Sequence, residues 1–220
     1  MRPLTDAMPK ALLVAGGKPL IVRHLEKLAA AGFEEAVINH AHCGELIEQA
    51  LGDGGRFGIR IAYSREREAL ETAGGIANAS PLLGDAPFAA VNADVFSDYD
   101  YGRLAQAVAQ LATENFLARL VLVDNPEHHG AGDFALHDGR VVLAGDKLTF
   151  SGIAAYRPEL FAGIPRGTRA PLAPLLIKCI RHGEAGGEHF RGYWRDIGTP
   201  ERLALLNREL AAADTHPSAL

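Results

Sequence analysis

Phe88-Ala89-Ala90-Val91-Asn92-Ala93-Asp94 is the stretch that decides how this chain folds. Its apolar part does not alternate with polar residues, which predicts a strand buried on both faces, as in a sheet covered by helices above and below. Residues 101–112 then carry apolar positions at helical spacing, and residues 116–123 read as another buried strand. The same alternation runs upstream. Residues 36–39 and 59–63 read as strands, residues 45–51 as a helix ended by Gly52, and residues 73–83 as a helix stopped by Gly84. Residues 19–31 form a further predicted helix, with Pro19 at the first helical position and Gly32 past the end. From residue 133 to 155 the pattern changes to short strands joined by turns such as His137-Asp138-Gly139, and residues 172–181 and 200–210 supply the last helices.

Strand-helix alternation with apolar strands predicts an α/β fold, a doubly wound and mostly parallel sheet. Residues 133–155 are expected as a small antiparallel β insertion or edge. One domain over residues 1–212, followed by a loose tail over 213–220, fits a chain of 220 residues.

Composition narrows the function. The chain is 48% apolar and 22% charged, which is ordinary for a globular protein. A net charge of -5 gives no basic footprint for nucleic acid. Cys43 and Cys179 form no C-x-x-C pair and are expected as free thiols. No apolar run reaches the length of a membrane span, and no signal peptide opens the chain. The expectation is a cytoplasmic protein without membrane or nucleic-acid partners. The oligomeric state is not legible.

In doubly wound sheets, ligands bind beyond the C-terminal ends of the strands. That rule selects Asn39-His40, Glu71-Thr72, Asn92 to Asp94, Asp124-Asn125 and Ser151-Gly152. A carboxylate at the position of Asp94 suits a hard cation such as Mg²⁺, which takes one or two carboxylates plus phosphate oxygens. The plainer alternative is a helix cap or Asx turn. Asp196, in Trp194-Arg195-Asp196-Ile197-Gly198-Thr199-Pro200, is the second candidate; its alternative is a turn acid, with Thr199 capping the helix that Pro200 opens. Gly16-Gly17-Lys18 lacks the spacing of a P-loop. His128-His129 reads as a solvated pair in a turn, and Trp194 as core. His40 and His42 read as pocket or surface groups rather than metal ligands. The run from Ala11 to Ala15 passes either as a first strand or as a loop.

Several segments fall together in the order of one family. They are Arg2-Pro3-Leu4-Thr5, Pro9-Lys10-Ala11-Leu12, Gly17-Lys18-Pro19-Leu20-Ile21, Asn39-His40, Leu70-Glu71-Thr72-Ala73-Gly74-Gly75, Asn92-Ala93-Asp94, Phe150-Ser151-Gly152-Ile153 and Trp194-Arg195-Asp196-Ile197-Gly198-Thr199. In this the chain resembles the sugar-1-phosphate nucleotidylyltransferases, and Leu122-Val123-Asp124-Asn125-Pro126 with Gly132-Asp133-Phe134 points to their uridylyltransferase branch. The resemblance implies the nucleotide-diphospho-sugar transferase fold, a Rossmann-like sheet, and UTP and a sugar 1-phosphate as partners. It implies Mg²⁺ held by Asp94 and Asp196, and it implies that Lys10, as the family's signature lysine, and Asp94 are catalytic. Glu71, Thr72, Gly74, Gly75 and Asn92 would bind the nucleotide. Asn125, Asp133, Ser151 and Gly152 would bind the sugar. The role of Lys147 stays open.

The resemblance also implies a first strand and a G-x-G-x-R phosphate loop ahead of residue 1. Without that strand, its neighbours in the sheet would be left with unpaired backbone groups. Two alternatives stay open: a guanylyl- or thymidylyltransferase acting on a hexose 1-phosphate, and a non-catalytic binding relative.

Overall fold

The structure, a computed structural model, describes the backbone of residues 8–215 and the side chains of residues 8–212. Arg2-Pro3-Leu4-Thr5 lies outside the described residues. A 3₁₀ turn at Lys10–Leu12 leads into a small hairpin, β1 (Val14–Ala15) and β2 (Lys18–Pro19). Gly16 and Gly17 carry its turn with φ of 54° and 75°, the pair of positive values that a tight hairpin turn requires. The apolar run at Ala11 to Ala15 is therefore a turn and hairpin, not a strand of the main sheet.

The elements then follow in order as α1 (Leu20–Ala30), β3 (Glu35–His40), α2 (Gly44–Leu51), β4 (Arg60–Arg65), α3 (Glu71–Leu83), β5 (Phe88–Val91), β6 (Val95–Ser97) and α4 (Tyr101–Leu111). After them come β7 (Ala118–Val123), β8 (Phe134–His137), β9 (Arg140–Val142), β10 (Lys147–Tyr156), α5 (Leu172–Arg181), β11 (Ala185–Phe190), β12 (Trp194–Asp196) and α6 (Pro200–Thr215). The last helix reaches past residue 212, into what the sequence suggested was tail.

The main sheet has six strands in the order β5-β10-β7-β11-β9-β8. β11 runs parallel to β7, but β10 runs antiparallel to both β5 and β7. The sheet is therefore mixed rather than mostly parallel. Of the stretch expected as an insertion, β8 and β9 do lie at an edge, while β10 is central. Alternation along β7 explains its apolar run: Leu120 and Leu122 pack toward α3 and α5, and Val121 toward α4. Each face needs its own apolar residues, so the strand cannot alternate with polar ones.

β3 and β4 pair in parallel as a separate two-stranded sheet, covered by α1 and α2. Among the described residues, β3 hydrogen-bonds only to β4 within a sheet, and β5 only to β10. Between β3 and β5 lies a cavity of about 530 Å³. Residues 35–39 and 88–93 form its walls, with Leu25 and Leu28 of α1 and Ile76 of α3. Two strands that each use one edge thus enclose an apolar slot.

Candidate active site

The site is assembled by a short antiparallel pairing. β12 pairs with β6, and Asp196 stands opposite Val95. The backbone N–H of Ile197 donates to the carbonyl of Asp94 at 2.7 Å. Asp94 and Asp196, about a hundred positions apart in sequence, are thereby neighbours on paired chain segments. Trp194 fastens the pair to the main sheet by donating Nε1–H to the Ser151 carbonyl at 2.9 Å. Lys10 comes from a separate element, the turn Lys10–Leu12. Its 3₁₀ turn packs Ala11 into the core formed with Ile21, Val22 and Leu25, and its Nζ stands 3.6 Å from Asp94 Oδ2.

Asp94 is not a helix cap. That place belongs to Asp100, whose Oδ1 accepts from Gly102 N–H at the start of α4. Asp196 is not in a turn but ends strand β12 opposite Val95, while Thr199 caps α6, its hydroxyl accepting from Arg202 N–H. Asp196 has a divided carboxylate. Arg202 Nη1 donates to Oδ2. Oδ1 is buried and has no hydrogen-bond partner, although His128 Nε2 lies 3.0 Å away. The imidazole is close but off the hydrogen-bond direction. A buried anionic oxygen without a donor fits a cation. Among the described residues no group of three or more metal-ligating side chains occurs; Mg²⁺ asks for no more than two carboxylates when phosphate and water oxygens complete its shell. Asp94 and Asp196 are the residues that could hold it.

The residues expected at the nucleotide meet at the slot. Glu71, Thr72, Gly75 and Asn92 all line it, together with Asn39 and Glu66. Glu71 opens α3 with φ of 60° and ion-pairs with Arg169 at 2.5 Å. The carbonyl of Gly75 accepts from Asn39 Nδ2 at 2.6 Å. Gly74 does not join them. Its N–H donates to Ala170 O at 3.0 Å, and a side chain there would collide with the backbone of residues 168–170. This glycine serves close packing of a neighbouring loop.

Two of the sugar-side candidates have side chains engaged within the protein. Ser151 is 1% exposed. Its hydroxyl donates to Val121 O at 2.7 Å and accepts from Ile153 N–H at 3.1 Å, so it bridges β10 to β7. The register of β10 against β7 shifts between Phe150 and Ala154, and the resulting irregularity turns Ser151 inward. Asn125 is likewise occupied: Nδ2 donates to Lys147 O at 2.8 Å and Oδ1 accepts from Thr149 at 2.8 Å. It staples a loop. Gly152 has φ of 79° and is capped by the side chain of Asn92. Asp133 accepts from Phe150 N–H at 2.8 Å through Oδ2, while His129 Nε2 lies 3.0 Å from Oδ1.

The histidines were missed. The pair read as solvated contacts two acidic site residues, His128 at Asp196 and His129 at Asp133. Pairing across long sequence separation gave no local signal; only the Asp133 contact, at a spacing of four, was open to detection. Behind the site, His24 lies buried between Tyr101 Oη at 2.7 Å and Val95 O at 2.9 Å. Burial, with the nearby Lys27 charge, lowers its pKa to about 4, against an opposing contribution from the Val95 carbonyl. His40 is held by Glu48 at 2.8 Å.

This geometry, with a lysine and two strand-end carboxylates beside a slot, can be compared with known proteins. The profile of the nucleotidyl transferase family matches residues 1–143. The chain belongs to the nucleotidyl transferase family. This nucleotidyltransferase is 51% identical over 208 residues to N-acetylmuramate alpha-1-phosphate uridylyltransferase of Neisseria meningitidis, covering 92% of this chain and 90% of that one. It is 36% identical to the protein of the same name from Caulobacter vibrioides, covering 97% and 93%. A Bacillus anthracis protein assigned as a glucose-1-phosphate thymidylyltransferase superposes with a TM-score of 0.81 at 18% identity, covering 96% of this chain and 89% of that one. At that identity the likeness concerns the fold alone. Among the described residues no helix of this enzyme is long and apolar enough to cross a membrane.

Proposed function

We propose that this enzyme transfers a uridylyl group from UTP to N-acetylmuramate 1-phosphate, giving UDP-N-acetylmuramate and pyrophosphate. A phosphate oxygen of the sugar 1-phosphate attacks the α-phosphorus of UTP, and the bond to the β-phosphate oxygen breaks. Such transfers need positioning and charge neutralisation more than covalent help. The observation that carries the reading is the contact of Lys10 with Asp94, on a segment bonded to that of Asp196. Lys10 neutralises phosphate charge as the transfer proceeds. Mg²⁺ on Asp94 and Asp196 would supply charge stabilisation to the reacting phosphates. Base and ribose rest against Thr72, Gly75 and Asn92 at the end of the slot, where β5 has finished and Asn39 of β3 holds the Gly75 carbonyl, and not along the body of the slot between β3 and β5. The choice of UTP and of the sugar rests on the relatives from Neisseria meningitidis and Caulobacter vibrioides. A role in cytoplasmic recycling of cell-wall sugar is part of the same proposal.

The slot between β3 and β5 fits the same reading. The family resemblance implies a strand followed by a G-x-G-x-R loop ahead of residue 1, and the slot offers such a strand two edges to pair with. The test is an activity matrix of UTP, GTP and dTTP against N-acetylmuramate 1-phosphate and hexose 1-phosphates. It is run with residues 1–220 alone and with an apolar strand and phosphate loop fused ahead of Met1. The fused protein is expected to form UDP-sugar and pyrophosphate from UTP and N-acetylmuramate 1-phosphate. Turnover of GTP or dTTP in preference would overturn the uridylyl assignment.

A further inference from the structure

The turn Glu127–His129 sits between two carboxylates and touches both. His128 Nε2 is 3.0 Å from Asp196 Oδ1, and His129 Nε2 is 3.0 Å from Asp133 Oδ1. The turn is held at its base. Asn125 Nδ2 donates to Gly130 O at 3.3 Å and Lys147 O at 2.8 Å, and His129 N–H donates to Pro126 O at 2.8 Å. The two histidines are thus consecutive on one anchored turn.

The two oxygens of Asp196 differ in how firmly they are held. Oδ2 receives Arg202 from the first turn of α6, in a cradle where even a methyl group on Gly198 would lie 3.0 Å from both. Oδ1 has only the off-axis imidazole. A cation arriving at Asp196 therefore takes Oδ1 and leaves Arg202 in place. The imidazole and the cation compete for one oxygen.

We propose that His128 is a positioning residue that holds the place of the metal: it rests on Asp196 Oδ1 in the metal-free enzyme, and a divalent cation displaces it. Through the shared turn, that displacement reaches His129 and the sugar-side carboxylate Asp133. Metal loading is thus mechanically linked to the far side of the site. The inference rests on the assignment of Asp196 as a metal ligand.

The test uses the metal alone, without nucleotide or sugar. Free Mn²⁺ is followed by electron paramagnetic resonance during titration of the wild type, His128→Ala, His128→Gln and Asp196→Asn. Removing a half-exposed competitor should tighten Mn²⁺ binding about two- to fivefold in both His128 variants, the scale of a partly exposed side-chain contact. In the wild type, Mg²⁺ should shift the ring signals of both His128 and His129 in carbon–proton spectra, and in His128→Ala it should no longer move His129. Weaker or unchanged Mn²⁺ affinity on losing His128 overturns the proposal, as does a His129 signal that ignores Mg²⁺ in the wild type. The spectra need no variant for that second outcome. Mn²⁺ binding untouched by Asp196→Asn sinks the metal assignment itself, and this inference with it.

Discussion

Lys10 Nζ stands 3.6 Å from Asp94 Oδ2, a cation from the turn before α1 facing a carboxylate just beyond β5. Both are partly exposed, at 46% and 35% of the side chain, so the pair adds little to stability. Its position argues for a chemical role instead. Lys10→Met should lower kcat by about 10²–10³ while leaving the unfolding midpoint in urea within error. A comparable loss expressed only as a rise in KM, with kcat intact, would show that Lys10 merely binds ground-state phosphate.

Asp94→Asn should remove metal dependence at nearly constant fold. Its backbone carbonyl still accepts from Ile197 N–H, so the β6–β12 pairing survives the change. Isothermal titration with Mg²⁺ in the presence of UTP is the check; unaltered Mg²⁺ affinity in the variant contradicts the assignment.

His24 predicts an acid-sensitive fold. Its pKa falls from 6.5 to about 4 on folding because burial, with the nearby charge of Lys27, disfavours the imidazolium. Above pH 6.5 both folded and unfolded forms hold it neutral, and its contribution is fully present. As pH falls from 6.5 toward 4 the unfolded chain gains a proton that the native protein refuses, so stability is lost, by about 3 kcal/mol at most. Urea unfolding at pH 7.5 and 4.5 should show this slope, and His24→Gln should flatten it. An equal slope in the variant would assign the acid sensitivity elsewhere.

Much of the fold was legible because burial on both faces leaves a continuous apolar run. Residues 118–123 are such a run; residues 88–91 are also a strand, but half-buried throughout because one of its edges faces the slot. Asp94 stood out because it follows one of them. The central place of β10 was hidden: its partners β5 and β7 lie far away in sequence, and antiparallel pairing leaves no helical crossover to read. Ser151 was placed at the sugar by family resemblance alone, and a linear sequence gives no hint of the register shift that turns its side chain in. His128 and His129 looked solvated because Asp196 reaches His128 only through the pairing of β12 with β6.

Gly152 and Gly139 make a matched pair for separating contact from backbone strain. Their φ values are 79° and 74°. A Cβ on Gly152 would lie 2.6 Å from Asn92 Nδ2, whereas one on Gly139 would meet nothing within 4 Å. Gly139→Ala should cost about 1–2 kcal/mol from the left-handed backbone alone. Gly152→Ala should cost at least about 1 kcal/mol more through overpacking. Equal costs by urea unfolding would mean that Asn92 moves aside freely.

The slot between β3 and β5 predicts a gain in stability. An apolar strand fused ahead of Met1 should raise the unfolding midpoint and slow amide exchange over residues 35–40 and 88–91, since among the described residues both strands present an edge with no strand partner. Exchange rates unchanged at both strands would show that the slot does not take a strand.

The account stands or falls on one assay: phosphorus NMR of UTP and N-acetylmuramate 1-phosphate incubated with Mg²⁺ and the strand-extended protein, beside its Asp94→Asn variant. The predicted result is equimolar UDP-N-acetylmuramate and pyrophosphate with the first and neither with the second. Unchanged substrates with both, or equal turnover by the two, would contradict it.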